Sequence, residues 1–386
     1  MKEKPTILIV HNYYQLAGGE DTVVSNEKKM LEEHGHKVIL YTRSNSEIKN
    51  MNIFQKLLLP FITIYNPRTS KDIKRIIKEE DIDIVHVHNT LSFISPSVYY
   101  ASIKMRKPVV QTIHNFRLLC PAATFYRDNH ICEDCVSKGL KCSLKHKCYR
   151  NSFIQTLICV LNTKIHRVAG IYSKINYICL TEFNKNKLLE LKQIRENQIY
   201  IKPNFMNNNE IDSITQENQF VFAGRLDKLK GIDFLFETWK KMGGSAPRLV
   251  VCGTGPMSDW CNKFIKENNL NIEMKGFVKN EEALKYIASS KALILPTKWY
   301  EGFPMSMVEA FSVGTPVICT NIGNSKSIIK DGTNGITFEL NDMDSLINAI
   351  KGINISKEEV FNVFNKYYTE EVNYEILNDI YKRISL

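Results

Sequence analysis

Phe220-Val221-Phe222-Ala223-Gly224-Arg225-Leu226-Asp227-Lys228-Leu229-Lys230-Gly231 begins as a short apolar run, breaks at glycine and passes through basic residues into a helical pattern. A run of that length followed by a glycine turn and a helix is half of a βαβ unit, which builds a parallel sheet. The pattern recurs at Leu249–Cys252, which meets Gly253-Thr254-Gly255-Pro256, at Met274-Lys275-Gly276-Phe277-Val278, and at Ile294-Leu295-Pro296. Strands are expected at 219–223, 248–252, 271–275, 292–295, 316–319 and 335–338. The front of the chain repeats the alternation at 6–10, 37–41, 83–88, 108–113, 176–180 and 198–201. The predicted fold is α/β, two doubly wound parallel-sheet domains of Rossmann type, with ligands beyond the carboxyl ends of the strands. Their boundary is expected within Lys202–Asn209, where proline and an asparagine cluster break the periodicity. The domains are then 1–203, with a cysteine-rich insert at 116–150, and 204–386, helical from about Lys357 onward.

Glu301-Gly302-Phe303-Pro304-Met305-Ser306-Met307-Val308-Glu309 follows the fourth strand of the rear half. Pro304 suits the first turn of a helix, where its missing N–H costs nothing. That places Glu309 inside the helix and leaves Glu301 on the loop before it. Helix N-termini attract phosphate through free N–H groups and the positive dipole end, and carboxylates accept hydrogen bonds from hydroxyls. The combination suits a ligand carrying both phosphate and sugar. Arg225 and Lys230 flank the turn after the first strand of the same half. Cations there would stabilise a departing diphosphate more in the transition state than in the ground state. Arg grips phosphate bidentately and Lys acts as a point charge, with Lys228 ranked below them. Gly253-x-Gly255 lacks the third glycine of a dinucleotide fingerprint and reads as a tight turn near phosphate or base, which counts against a dehydrogenase.

In the front half, Ala17-Gly18-Gly19-Glu20 follows the first strand, and Asp21 and Thr22 mark a helix start. Glycines there let backbone N–H groups approach a phosphate. His11, His86, His88 and His114 stand at strand ends, His86 and His88 on one face of theirs.

In this order, these segments resemble family 4 glycosyltransferases, retaining enzymes of the GT-B fold whose two domains face each other across a cleft. The resemblance spans nearly the whole chain. It implies that Glu309 accepts hydrogen bonds from the donor ribose and that Glu301 holds hydroxyls of the transferred sugar. Gly302, Phe303 and Pro304 would bring backbone to the diphosphate, Phe277 and Val278 would line the base pocket, and Gly18 and Gly19 would approach the diphosphate from the first domain. His114 matches the position near acceptor and transferred sugar, ahead of His88 and His11. Asn115 stands where members often carry Asp, which removes a general-base pair there. A terminal helix is expected to return to the first domain from about Lys357. The implied catalytic set is His114, Glu301, Arg225 and Lys230. The implied donor is a dTDP- or UDP-sugar, with L-rhamnose a named option, and the implied acceptor a polyprenyl-pyrophosphate-linked saccharide of capsule or exopolysaccharide synthesis.

No catalytic cofactor is expected, because Arg225, Lys230 and the helix at Pro304 already supply positive potential. Five cysteines fall between 120 and 148. Cys132-x2-Cys135 followed by Cys142 and Cys148 makes a four-thiolate set plausible for a structural zinc knot, although the five residues within the second pair are more than usual zinc spacing. His130 and His146 are alternative ligands, and free or redox-active thiols are the other reading.

The net charge of +10 is uneven: residues 1–203 hold 31 Lys and Arg against 18 Asp and Glu, and the remainder is slightly acidic. A basic front half suits anions such as lipid headgroups. With no run of about 18 apolar residues, the chain is expected to be cytoplasmic and peripheral at the inner membrane surface, aided by the apolar stretch 57–64. The competing classes are a nucleic-acid-binding module around the lysine-rich cysteine insert, which leaves the rear half unexplained, and a sugar-nucleotide-binding protein without turnover. No nucleic-acid partner is expected.

Overall fold

The computed structural model describes residues 3–15, 18–206 and 215–385. Ala17 of the glycine loop and the stretch 207–209 of the expected linker lie outside the described residues. The chain divides into two compact units: residues 1–125, 132–203 and 373–386 in one, and 126–131 and 204–372 in the other.

Within the first unit run β1 (Ile7–Tyr13), β2 (Val38–Ser44), β3 (Ile84–Asn89) and β4 (Val109–Ile113). A short ribbon, β5 (Tyr126–Arg127) and β6 (His130–Ile131), groups with the second unit, and β7 (Asn176–Cys179) and β8 (Ile199–Ile201) complete the first. Its parallel sheet has the order β2-β1-β3-β4-β7-β8. The first strand runs past the expected end at Val10, because the polar residues that follow find partners inside. Asn12 donates to Asn45 Oδ1 at 3.1 Å and accepts from the Phe93 N–H at 3.0 Å, and His11 meets Asp21 at 2.8 Å.

The second unit holds β9 (Gln219–Ala223), β10 (Arg248–Cys252), β11 (Ile272–Gly276), β12 (Ala292–Leu295), β13 (Val317–Thr320) and β14 (Gly335–Phe338), in the order β11-β10-β9-β12-β13-β14. Every strand expected in both halves is present, with ends differing by up to three residues. Alternate residues enter opposite cores. Val221, Val250, Leu293, Leu295, Val317 and Cys319 pack on one face. Phe220, Phe222, Leu249, Val251, Ile294 and Ile318 pack on the other. Both faces are covered by helices, so each strand reads as continuously apolar.

The return of the C-terminus starts later than expected. Helix Lys357–Tyr367 stays with the second unit, where Val360 and Phe364 join the core beside Phe311. Only the next helix, Glu370–Ile384, belongs to the first unit from Asn373 onward. There Tyr374 accepts from Lys4 at 2.7 Å and the hydroxyl of Tyr381 lies 2.8 Å from His86 Nδ1.

Candidate active site

In the second sheet, all strands run parallel but the order in which they are added reverses between β9 and β12, and ligand crevices in doubly wound sheets open at that point. The loops leaving these two strands are pressed together. Gly231 sits at φ +74°, and a Cβ there would lie 1.9 Å from the carbonyl oxygen of Pro296. The Lys298 N–H donates to Leu229 at 2.8 Å. Asp227 caps the turn by accepting from the Lys230 N–H at 3.0 Å. The result brings Lys230 Nζ within 2.7 Å of Glu301 Oε2, with the lysine one-quarter exposed and the glutamate 7% exposed.

Asn324 holds the Glu301 loop by donating to the carbonyls of Glu301 and Gly302. Pro304 takes the cap position, one residue before the expected first helical turn, and the helix runs Met305–Ser312. Its inward residues Met307, Val308, Ala310 and Phe311 anchor it in the core, with Phe303 packed alongside. Glu309 lies inside this helix, and burial raises its carboxyl pKa above the usual range.

Arg225 is not drawn into the Lys230–Glu301 pair. It is exposed, and its guanidinium lies 3.5 Å from Asp227. Gly253, at φ +143°, owes its identity to backbone packing: a Cβ would sit 1.9 Å from the Gly224 carbonyl oxygen. Phe277 follows β11 with 80% of its surface exposed, so it is no core aromatic, whereas the neighbouring Val278 packs on the core. A hollow of about 540 Å³ lies beside Arg248, Asn271 and Lys291, at the amino ends of the strands and so at the wrong end of the sheet for this site.

In the first unit, Gly18 is extended and caps the helix Gly19–Glu33, so the helix opens two residues before Asp21. The Gly18 N–H donates to the Asp21 carboxylate at 3.1 Å. His88 Nδ1 lies 2.9 Å from His114 Nε2, and His88 Nε2 lies 3.3 Å from Glu27, whose other oxygen lies 2.7 Å from Lys202 Nζ. Burial alone would raise the Glu27 pKa, but Lys202 and then His88 outweigh it and hold the carboxyl ionised. Burial, assisted by His88, holds His114 well below its ordinary value and therefore neutral. A cavity of about 50 Å³ touches His88, His114, Asn115 and Arg117.

Glu27 and Lys202 were not singled out from sequence. The signal was present for one of them: Glu27 shares a helix stripe with Val23, Val24, Met30 and Leu31, all buried. Glu20 was missed as well; burial and then the charge of Asp21 push its pKa up to about 8. Among the described residues, only Glu27, His86 and His88 place three metal-ligating atoms within 4.8 Å of one another, and Lys202 already sets a cation against that glutamate. Cys135 is buried with Leu140 and Val160, Cys142 packs against that cluster, and burial followed by the neighbouring Cys120, Cys148 and Cys142 thiols pushes the Cys135 thiol up to about 12.

Two doubly wound parallel-sheet units, with a lysine–carboxylate pair at the second sheet's switch point, have the architecture of the GT-B fold. Residues 205–367 match the family "Glycosyl transferases group 1", and residues 17–131 match "Glycosyltransferase Family 4". The chain belongs to the GT-B glycosyltransferases of the family 4 type, and it is an enzyme of that transferase class. An uncharacterized 41.2 kDa protein in the cps region of Klebsiella pneumoniae is 23% identical over 88% of this chain and 88% of its own length. The UDP-Gal:alpha-D-GlcNAc-diphosphoundecaprenol alpha-1,3-galactosyltransferase of Escherichia coli is 25% identical over 76% of this chain and 71% of its own. Among solved structures, HepE of Anabaena in complex with UDP superposes with a TM-score of 0.66 at 14% identity, covering 98% of this chain and all of the other. The competing readings, a nucleic-acid-binding module or a binding protein without turnover, are not favoured, since both halves match glycosyltransferase families.

Proposed function

We propose that the enzyme transfers a hexose or deoxyhexose, L-rhamnose included, from a UDP- or dTDP-sugar to a polyprenyl-pyrophosphate-linked saccharide, with retention of anomeric configuration, in capsule or exopolysaccharide synthesis. The observation that carries this reading is the Lys230–Glu301 pair at the carboxyl ends of β9 and β12. A diphosphate entering there competes with Glu301 for the ammonium, and the freed carboxylate becomes available to the hydroxyls of the sugar. Lys230 then neutralises charge that grows on the leaving phosphate as the glycosidic bond breaks. Exposed Arg225 is free to swing onto the same phosphate. Glu309, on the helix behind them, accepts from the ribose hydroxyls, and the exposed ring of Phe277 offers a stacking face to the base. His114, just beyond the end of β4, hydrogen-bonds a sugar hydroxyl.

No carboxylate is placed as a nucleophile in this scheme, so the acceptor oxygen attacks from the face the diphosphate leaves. Its proton passes to the departing phosphate oxygen. The lipid-linked acceptor is supported by the Escherichia coli relative, which acts on such a substrate, and the capsule context by the Klebsiella pneumoniae relative from a cps region. The test supplies the purified enzyme with UDP- and dTDP-sugars and a short polyprenyl-pyrophosphate-linked saccharide, then measures nucleoside diphosphate release and the product's anomeric proton coupling. Release dependent on acceptor, with the donor's anomeric configuration kept, supports the reading. An inverted product or no acceptor-dependent release refutes it.

A further inference from the structure

Helices Ile53–Ile64 and Phe153–Val168 of the first unit lie side by side. His166 fixes the pair: its Nε2 donates to the Ile64 carbonyl at 2.9 Å and its Nδ1 accepts from the Tyr100 hydroxyl at the same distance. Both helices turn apolar stripes to solvent. On the first, Phe54, Leu57 and Phe61 are 66–74% exposed, and only Thr63 is fully buried along its length. On the second, Ile154 and Val168 are 68% and 81% exposed, with Leu161 and Ile165 between them. Scattered exposed apolar residues are ordinary, but apolar stripes at helical spacing on two adjoining helices are the kind of feature that marks an interaction surface.

Charge identifies the occupant. No Asp or Glu stands between Glu47 and Asp72, or between Asp134 and Glu182, the two segments that carry these helices. Exposed Lys49, Lys56, Lys145, Lys147, Arg150 and Lys164 lie in the same segments. A second copy of the chain seated on this patch would bring two basic rims together, which like-charge repulsion disfavours. An anionic bilayer satisfies both features at once: apolar rings enter the headgroup–acyl boundary while lysines meet lipid phosphates.

We propose that this two-helix face is a docking surface for an anionic phospholipid bilayer, with Phe54, Leu57, Phe61 and Ile154 as its inserted side chains. The inference deepens the function proposed above, since a polyprenyl-linked acceptor is held at such a surface, but its test needs no turnover. The full chain is floated with phosphatidylcholine vesicles with and without phosphatidylglycerol, at low and high salt. Binding is expected only to the anionic vesicles, weakening as salt rises, and at least about tenfold weaker for Phe54→Glu/Phe61→Glu. Both residues are exposed, so the thermal midpoint and UDP affinity of that variant should match the parent. Should it fail to fold, Lys145→Gln/Lys147→Gln/Arg150→Gln serves as the second variant, with the same expected loss. No binding to anionic vesicles at low salt, or equal binding by the folded variants, overturns the proposal. So does a parent dimer that Phe54→Glu/Phe61→Glu dissolves, which would make the face a self-association surface. Loss of transferase activity with vesicle binding intact would count against the proposed function alone.

Discussion

Lys230 and Glu301, 71 positions apart in sequence, form an ion pair of 2.7 Å between the loops that leave β9 and β12. An uncharged carboxamide at 301 releases the ammonium while removing the hydroxyl-binding charge. Glu301→Gln should therefore bind UDP at least as tightly as the parent while losing about 100-fold in kcat/KM, and Lys230→Ala should lose both UDP affinity and a similar factor in rate. Isothermal titration with UDP beside steady-state kinetics separates these effects. A parallel fall in UDP affinity for Glu301→Gln would sink the competition model.

Gly231 combines a left-handed backbone at φ +74° with a neighbouring carbonyl oxygen 1.9 Å from where a Cβ would stand. Gly231→Ala should cost roughly 3 kcal/mol or more of stability, because strain and a backbone clash add. Gly18→Ala is the contrast, since φ there is −140° and nothing lies within 4 Å of the added carbon. It should leave the unfolding midpoint within about 0.5 kcal/mol of the parent. Denaturant melts of the two variants check the difference.

Glu27 and Lys202 are both fully buried and lie 2.7 Å apart. Removing either partner strands the other charge, so Glu27→Ala or Lys202→Met should destabilise by about 3–5 kcal/mol. The double replacement should recover part of that loss. Full additivity of the two single effects in thermal melts would show that the pair does not act as a unit.

Acid should weaken the first unit before the usual carboxylate range is reached. Burial holds His11 at about 4 and His86 at about 3, each below the model-peptide 6.5. Between pH 6.5 and those values the unfolded chain binds protons that the folded chain does not, so stability falls as pH drops. At pH 5 each imidazole removes about 2 kcal/mol. Melting midpoints measured from pH 7 to 5 should fall, and His11→Asn should flatten the slope. A midpoint that stays level over that range contradicts the assignment.

The twelve strands of the two large sheets were legible because doubly wound sheets bury both faces, leaving unbroken runs such as Phe220–Ala223 between turn signals. Pro304 and Glu309 were placed on the right element by local chemistry alone. Less visible was anything that depended on which loops meet. At Gly253 the carbonyl oxygen of Gly224 fills the space that a Cβ would take, which turn chemistry alone did not show. Cysteine spacing likewise did not single out Cys120 as a neighbour of Cys135.

Residue order by itself determined two parallel αβ units, the cationic turn at Arg225–Lys230 and the acidic loop–helix that begins at Glu301, since periodicity and turn chemistry act within a few positions of the chain. Tertiary structure alone decided that Lys230 is held by Glu301, that Glu27 sits charged among histidines against Lys202, and that two helices with exposed apolar stripes, a hundred residues apart, lie side by side. Each of these depends on packing between distant segments, where desolvation and close approach set the energies and no local pattern records the outcome.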